Sequence, residues 1–361
     1  MFAPTRYLLW ARRFYGNVRL DLATSGMPTV PLTELGVPDA STLSDPAGWT
    51  AAREAIAAYH DVPTNEATLA LGTTHAIWLA YAALTSPGDE ILVEQPGYEP
   101  LVRIAEGMGL RVTHFERPAS ERFVLDPDRV ARACTPRTRV VVVTNLHNPG
   151  GVRAPDDVLR AIAAALAARG TTLLVDEVYA PSDALVDARG VFRGSARKLG
   201  PNVVAIGSLT KCYGLGPQRI GWLLGAPDVV ARADDAITAS CGILPLETTH
   251  IAVHAFGRIG DLAARARTVL AGKREHVAAW MTRHGLSWSA PTEGLYGFAT
   301  VPGAGDLTAA IERAAAEREV LVAPGSFFGI PGGFRIAWSR PLPELDEGLS
   351  RLAAALDLRP H

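Results

Sequence analysis

Cysteine is scarce in this sequence, with Cys134, Cys212 and Cys241 the only three. Odd in number, widely spaced and without a CxxC pair, they exclude a disulfide framework and argue against a structural zinc site. They point to thiols in a reducing compartment. An excess of charge is missing too. The formal net charge is -2 and there is no basic block, so neither a nucleic-acid surface nor a polybasic membrane patch is indicated, and the expected partner is a small molecule. No stretch approaches the roughly 18 uninterrupted apolar residues of a membrane span. Residues 1–15 mix Leu8, Leu9 and Trp10 with Arg6, Arg12 and Arg13, without a long apolar region or a small-residue cleavage site. That start reads as an N-terminal helix, and the expected location is cytoplasmic. What the chain does have is 361 residues with a hydrophobic fraction of 48%, enough for a sizeable core and roughly two domains.

The most informative stretch is Val203 to Trp222. An apolar run, Val203 to Ile206, leads through Gly207 into Ser208-Leu209-Thr210-Lys211 and a Gly-rich turn carrying Arg219. A lysine at the end of a buried strand is partly desolvated, which lowers its pKa toward the neutral amine that attacks carbonyl carbon and forms a Schiff base. Ser208, Thr210 and Arg219 offer hydroxyl donors and a planar guanidinium to a phosphate. Lysine and phosphate holder in one loop suggest pyridoxal 5'-phosphate, PLP.

Three further turns follow strand-like runs. Leu69 to Leu71 precedes Gly72-Thr73-Thr74, where the start of a helix would aim free N–H groups at an anion. Arg139 to Thr144 is a β-branched run ending in Asn145-Leu146-His147-Asn148-Pro149-Gly150-Gly151, at the strand edge where open α/β sheets bind ligands. Thr171 to Tyr179 is a third, with Asp176-Glu177-Val178-Tyr179 at its end. A carboxylate there can face a pyridine nitrogen and keep it protonated, and a phenol can donate to the cofactor's O3'.

S-x-T-K followed eight residues later by Arg219, together with D-E-x-Y, resembles the class I/II (fold type I) aminotransferases. The resemblance implies an α/β fold, a mostly parallel sheet in a large domain beside a smaller α+β domain built from both termini. The expected boundaries are 1–45, 46–240 and 241–361. It makes Lys211, Asp176 and Tyr179 catalytic, and assigns Thr73, Thr74, Tyr98, Asn148, Asp176, Tyr179, Ser208, Thr210, Lys211 and Arg219 to PLP. Tyr98 would stack on the pyridine ring, and Asn148, in N-P-G-G where the family has N-P-T-G, would bond the phenolic oxygen. Gly26, Asn148 and Arg335 would meet the substrate, Arg335 as a fork for its carboxylate. His147 is expected as a neighbour and not a base. The long Ala-rich segment from Asp228 to Arg283 is expected to hold a connecting helix and the start of the small domain. A homodimer is implied, but the tyrosine that usually reaches the neighbouring subunit's phosphate is replaced by Leu43, with Ser41, Thr42 or Ser44 as substitutes.

The resulting expectation is an aminotransferase exchanging an α-amino acid and a 2-oxo acid. Cys241 to Leu246 offers no cation for a second carboxylate, which favours a neutral or apolar side chain. The Ser25-Gly26 entry, Leu43 and the ending L-V-x-P-G-x-x-F-G also look like PLP-dependent amino-acid cyclases of peptide-antibiotic pathways. A cyclase or β/γ-lyase is therefore the second reading. A PLP-binding transcription regulator is a third, and it would need a DNA-binding domain of about a hundred residues in front.

Overall fold

Four consecutive valines, Val140 to Val143, mark the centre of the molecule, and each is fully buried. Side chains alternate along a strand. Val140 and Val142 accordingly pack with Ala76, Ile77 and Ala80 on one face, while Val141 and Val143 pack with Leu159, Ile162 and Leu166 on the other. A strand covered on both faces gains roughly 1.5–3 kcal/mol per valine, which is why the run needs no polar alternation. The computed structural model describes residues 2–37, 47–181, 185–187 and 189–359. Leu43 and its substitutes Ser41, Thr42 and Ser44 lie outside the described residues.

In chain order the first elements are α1 (Arg6–Phe14), β1 (Leu20–Asp21), α2 (Gly48–His60), β2 (Ala67–Leu71), α3 (Gly72–Leu84), β3 (Glu90–Gln95), α4 (Glu99–Gly107) and β4 (Arg111–Glu116). There follow α5 (Pro127–Ala133), β5 (Thr138–Thr144), α6 (Asp156–Ala167), β6 (Thr172–Asp176), β7 (Val203–Ser208) and β8 (Ile220–Leu224). The large sheet has the order β2-β8-β7-β6-β5-β3-β4. Its strands are mutually parallel except β8, which runs antiparallel to both β2 and β7. β5, β6 and β7 are neighbours, with Thr144 opposite Asp176 and Asp176 opposite Ile206. Three polar strand ends are thus brought to one edge.

The Ala-rich segment 228–283 is helical. It holds four helices, α7 (Pro227–Cys241), α8 (Leu246–Gly257), α9 (Ile259–Leu270) and α10 (Lys273–Arg283). Gly242 and Gly272, both at positive φ, and Pro245 interrupt it, because a left-handed residue or a missing N–H ends a helix. The remainder is β9 (Ser287–Trp288), β10 (Tyr296–Thr300), α11 (Thr308–Arg318), β11 (Val320–Leu321), β12 (Ala323–Pro324), β13 (Gly333–Ala337) and α12 (Leu342–Ala355), with a four-stranded antiparallel sheet β12-β13-β10-β9. β1 pairs in parallel with β11, Leu20 opposite Val320. Tyr7, Trp10, Ala11 and Phe14 recur at helical spacing on α1, and they share a core with Leu20, Val320, Phe328 and Ile336. Among the described residues no helix is long and apolar enough to cross a membrane.

Candidate active site

The edge of the large sheet carries a cavity of about 430 Å³, lined by side chains from α1, α3, β5, β13 and the turns after β5, β6 and β7. That volume falls within the roughly 300–1,000 Å³ of small-molecule sites. β2 ends at Leu71, and Gly72, at φ 74°, turns the chain directly into α3. No side chain caps that helix, so its first N–H groups face the cavity with the positive end of the helix dipole. Thr73 Oγ1 is committed elsewhere: it donates to Ser208 Oγ at 2.9 Å, and Ser208 and Thr210 share a hydroxyl contact of 2.7 Å. The Arg219 guanidinium lies over Gly72, where an added Cβ would stand 2.4 Å from Nη2. The positive φ of Gly72 is a conformation that L side chains rarely adopt, so glycine is favoured there. Thr73, Thr74, Thr210 and Arg219 line this end of the cavity as a polar cup, with Gly72 at its turn and Ser208, outside the lining, tying Thr73 and Thr210 together through its hydroxyl.

Beside the cup, Lys211 follows β7 and lines the cavity wall. Burial, with Arg335 and Arg219 nearby, pushes its pKa down to about 8, with Asp176 opposing. A neutral amine is then within reach of physiological pH. Asp176 ends β6 and is buried, and its Oδ1 accepts from the Val178 N–H at 3.0 Å. Burial raises this carboxyl to about 7, against the Val178 hydrogen bond and Lys211. A buried carboxyl of this kind gains from a cationic partner.

Asn148 is fixed by a donor bond from its backbone N–H to Thr144 Oγ1, 2.9 Å. Thr144 is itself held through its N–H and hydroxyl by Glu94 Oε1, and Glu94 pairs with Arg117 at 2.5 Å, both side chains fully buried. His147 sits beside this pair, buried, with Nδ1 accepting from the Gly150 N–H and Nε2 2.9 Å from Pro96 O. Burial and Arg117 hold its pKa well below the ordinary value. Both of its ring nitrogens are thus engaged by backbone groups.

Arg335, in the middle of β13, donates through Nη1 to Asn148 Oδ1 at 2.8 Å and through Nη2 to Tyr7 Oη at 2.7 Å and Ala23 O at 3.2 Å. Its Nε is buried with no partner among the described residues. A buried guanidinium with an unsatisfied donor calls for an anion. Tyr179 and Ser25 share a hydroxyl contact of 2.7 Å, and Tyr98 lines the opposite wall, edge-on to Tyr7. Gly26 is outside the cavity lining but abuts Lys211: an added Cβ would be 3.9 Å from Lys211 Cδ, and the Gly26 carbonyl accepts from Ser339 Oγ.

Sequence reasoning missed α1. Tyr7, Leu8, Ala11, Arg12 and Tyr15 all line the cavity, and the Tyr7 and Tyr15 hydroxyls are 2.7 Å apart. The signal was present as one helical face on which polar tips interrupt the apolar stripe. A larger cavity, about 630 Å³, lies behind Tyr179 and Cys212, but it contains none of Lys211, Asp176 and Arg335.

These residues fit PLP. The cup matches a phosphate dianion, Lys211 an aldehyde carbon, Asp176 a pyridine nitrogen, and Arg335 the carboxylate of an amino acid. Comparison with known proteins agrees with this chemistry. Capreomycidine synthase of Streptomyces vinaceus is 30% identical over 96% of this chain and 92% of its own length. Aspartate/prephenate aminotransferase of Thermus thermophilus is 29% identical, with 93% of each chain covered. Among solved structures, the PLP-dependent cyclase OrfR superposes with a TM-score of 0.84 at 25% identity, over 99% of this chain and 98% of that one. The profile of the class I and II aminotransferases matches residues 37–352, and the chain belongs to that family.

Proposed function

We propose that the protein is a PLP-dependent aminotransferase acting on an α-amino acid and a 2-oxo acid. The observation that carries this reading is the meeting of Lys211, Asp176, Asn148 and Arg335 around one cavity beside the donor cup. When bound, PLP supplies an electron sink that stabilises negative charge at the amino acid's Cα. Arg335 binds the α-carboxylate, with Asn148 and Tyr7 holding its guanidinium in plane. Lys211, poised near neutrality, takes the proton from Cα. With PLP bound, Asp176 would hold a proton on the pyridine nitrogen, Tyr179 and the Asn148 amide would serve the phenolic oxygen, and Tyr98 would hold the ring. Gly72, Thr73, Thr74, Ser208, Thr210 and Arg219 would retain the phosphate.

The protein is a homodimer in this reading, and light scattering should give twice the 38.3 kDa of the chain. An active monomer would contradict it.

A cyclase is the second reading, favoured by the likeness to capreomycidine synthase and OrfR. The same proton removal would then be followed by loss of a β- or γ-substituent and ring closure. Holoenzyme incubated with single amino acids and no acceptor separates the two. Transamination converts the cofactor to its amine form and stops after one equivalent of oxo acid. Many turnovers to a ring-closed or eliminated product, with the aldehyde form retained, would replace the aminotransferase reading by the cyclase or lyase one.

A further inference from the structure

The proposed function assigns a partner to every charged side chain that lines the cavity except Arg12. Asp176 is the single acid in that lining, against the four bases Arg12, Lys211, Arg219 and Arg335. Arg219 belongs to the donor cup, Arg335 to the α-carboxylate, and Lys211 to the aldehyde. Arg12 makes no hydrogen bond or ion pair among the described residues. Its neighbour in the last turn of α1, Arg13, faces elsewhere, with its guanidinium 4.9 Å over the Phe14 ring. Of the two arginines, Arg12 alone is offered to the ligand.

Its position along α1 relative to Tyr7 is set by the helix. Tyr7 touches the Arg335 guanidinium, and Arg12 lies five residues farther along α1, about 7.5 Å of axial rise. Leu8 and Ala11, between Tyr7 and Arg12 on the same helix, also line the cavity. An α-carboxylate bound at Arg335 thus faces an apolar strip followed by a solvated guanidinium. Cys241 to Leu246, where a second cation was sought in the sequence, does not line this cavity.

We infer that Arg12 is a specificity-determining residue that binds a carboxylate at the end of a substrate side chain of a few methylene groups. The substrate class is then an amino dicarboxylic acid. The inference rests on the α-amino acid reading of the site and reverses the neutral preference drawn from residues 241–246. A cationic side chain is disfavoured, because it would bring a like charge up to the Arg12 guanidinium, the one base of the lining without a partner in the proposed function.

The test is a titration of holoenzyme with glutamate, 2-aminoadipate, glutamine, norleucine and lysine, read as the apparent Kd from the cofactor absorbance. The two diacids should bind at least about tenfold more tightly than the neutral analogues, with lysine weakest, since the gain is one charge-assisted contact. Arg12→Gln should erase the glutamate-to-glutamine ratio, Arg12→Glu should shift preference toward lysine, and Arg13→Gln should preserve the wild-type order. Equal binding of glutamate and glutamine by the wild type, or an Arg12→Gln variant that keeps their ratio, overturns the inference and leaves the α-amino acid reading standing. No spectral response to any amino acid overturns that reading, and the inference with it.

Discussion

Lys211→Ala abolishes covalent attachment of the cofactor and lowers turnover by at least about 10³-fold, since the variant loses both the nucleophile and the base that moves the Cα proton. Borohydride reduction of the holoenzyme followed by peptide mass mapping locates the label. The lysines of the chain are Lys198, Lys211 and Lys273, which makes the outcome sharp. Lys198 is paired with Asp61 at 2.9 Å, and the Lys273 ammonium donates to the Arg340 carbonyl at 2.6 Å. Neither lines the cavity. Label on either would refute the role of Lys211. The pH dependence gives a second readout. Only the neutral amine attacks an aldehyde, and burial holds the Lys211 pKa at about 8. Capture of PLP by the apoenzyme should therefore rise about tenfold per pH unit up to about pH 8 and then level. A rate still climbing at pH 10 would indicate an ordinary solvated lysine.

The residues that sequence reasoning singled out are those whose chemistry is compressed into a few positions. Ser208, Thr210, Lys211 and Arg219 lie within one strand-turn-strand unit, and Asp176 and Tyr179 flank one turn. A short apolar run followed by polar punctuation locates such groups because parallel strands end at a common edge, as Thr144, Asp176 and Ser208 do here. The contribution of α1 is different in kind. Tyr7 reaches Arg335 across 328 positions, and Ser25 reaches Tyr179 across 154. Nothing local encodes which face of an amphipathic helix will roof a cavity, so α1 read as a helix without chemistry. The Glu94–Arg117 pair behind Asn148 was equally invisible, since an acid and a base 23 residues apart reveal nothing until β3 and the end of β4 lie side by side. The breaks among the four helices of 227–283 are only partly legible, because Gly242, Pro245 and Gly272 mark two of them while the third falls at Arg258, a residue that signals no helix end.

Asp176→Asn should separate activity from stability, moving them in opposite directions. The asparagine keeps the volume and an oxygen for the Val178 N–H, but it cannot hold a proton on the pyridine nitrogen as a carboxylate does. Turnover is expected to fall about 10²–10³-fold, the scale on which removing one preorganised electrostatic partner acts. Stability of the apoenzyme should respond the other way. Burial raises the Asp176 pKa from 3.8 to about 7 in the folded chain, so the folded state binds its proton more tightly than the unfolded state does. Stability from this group is fully present below about pH 3.8, is lost as pH rises, and is gone above about pH 7. Each pKa unit corresponds to about 1.4 kcal/mol, so at pH 8 the ionised Asp176 costs the apoenzyme on the order of 4 kcal/mol. Asparagine does not incur that cost. Apo Asp176→Asn should accordingly melt at a higher temperature than apo wild type at pH 8, with the gap closing toward pH 5, while its holoenzyme is nearly inactive. Calorimetry of both apo forms across pH 5–8, with turnover measured in parallel, decides the matter. A variant with near-normal turnover would remove Asp176 from the mechanism, and an apo variant less stable at pH 8 would make its carboxylate a structural group.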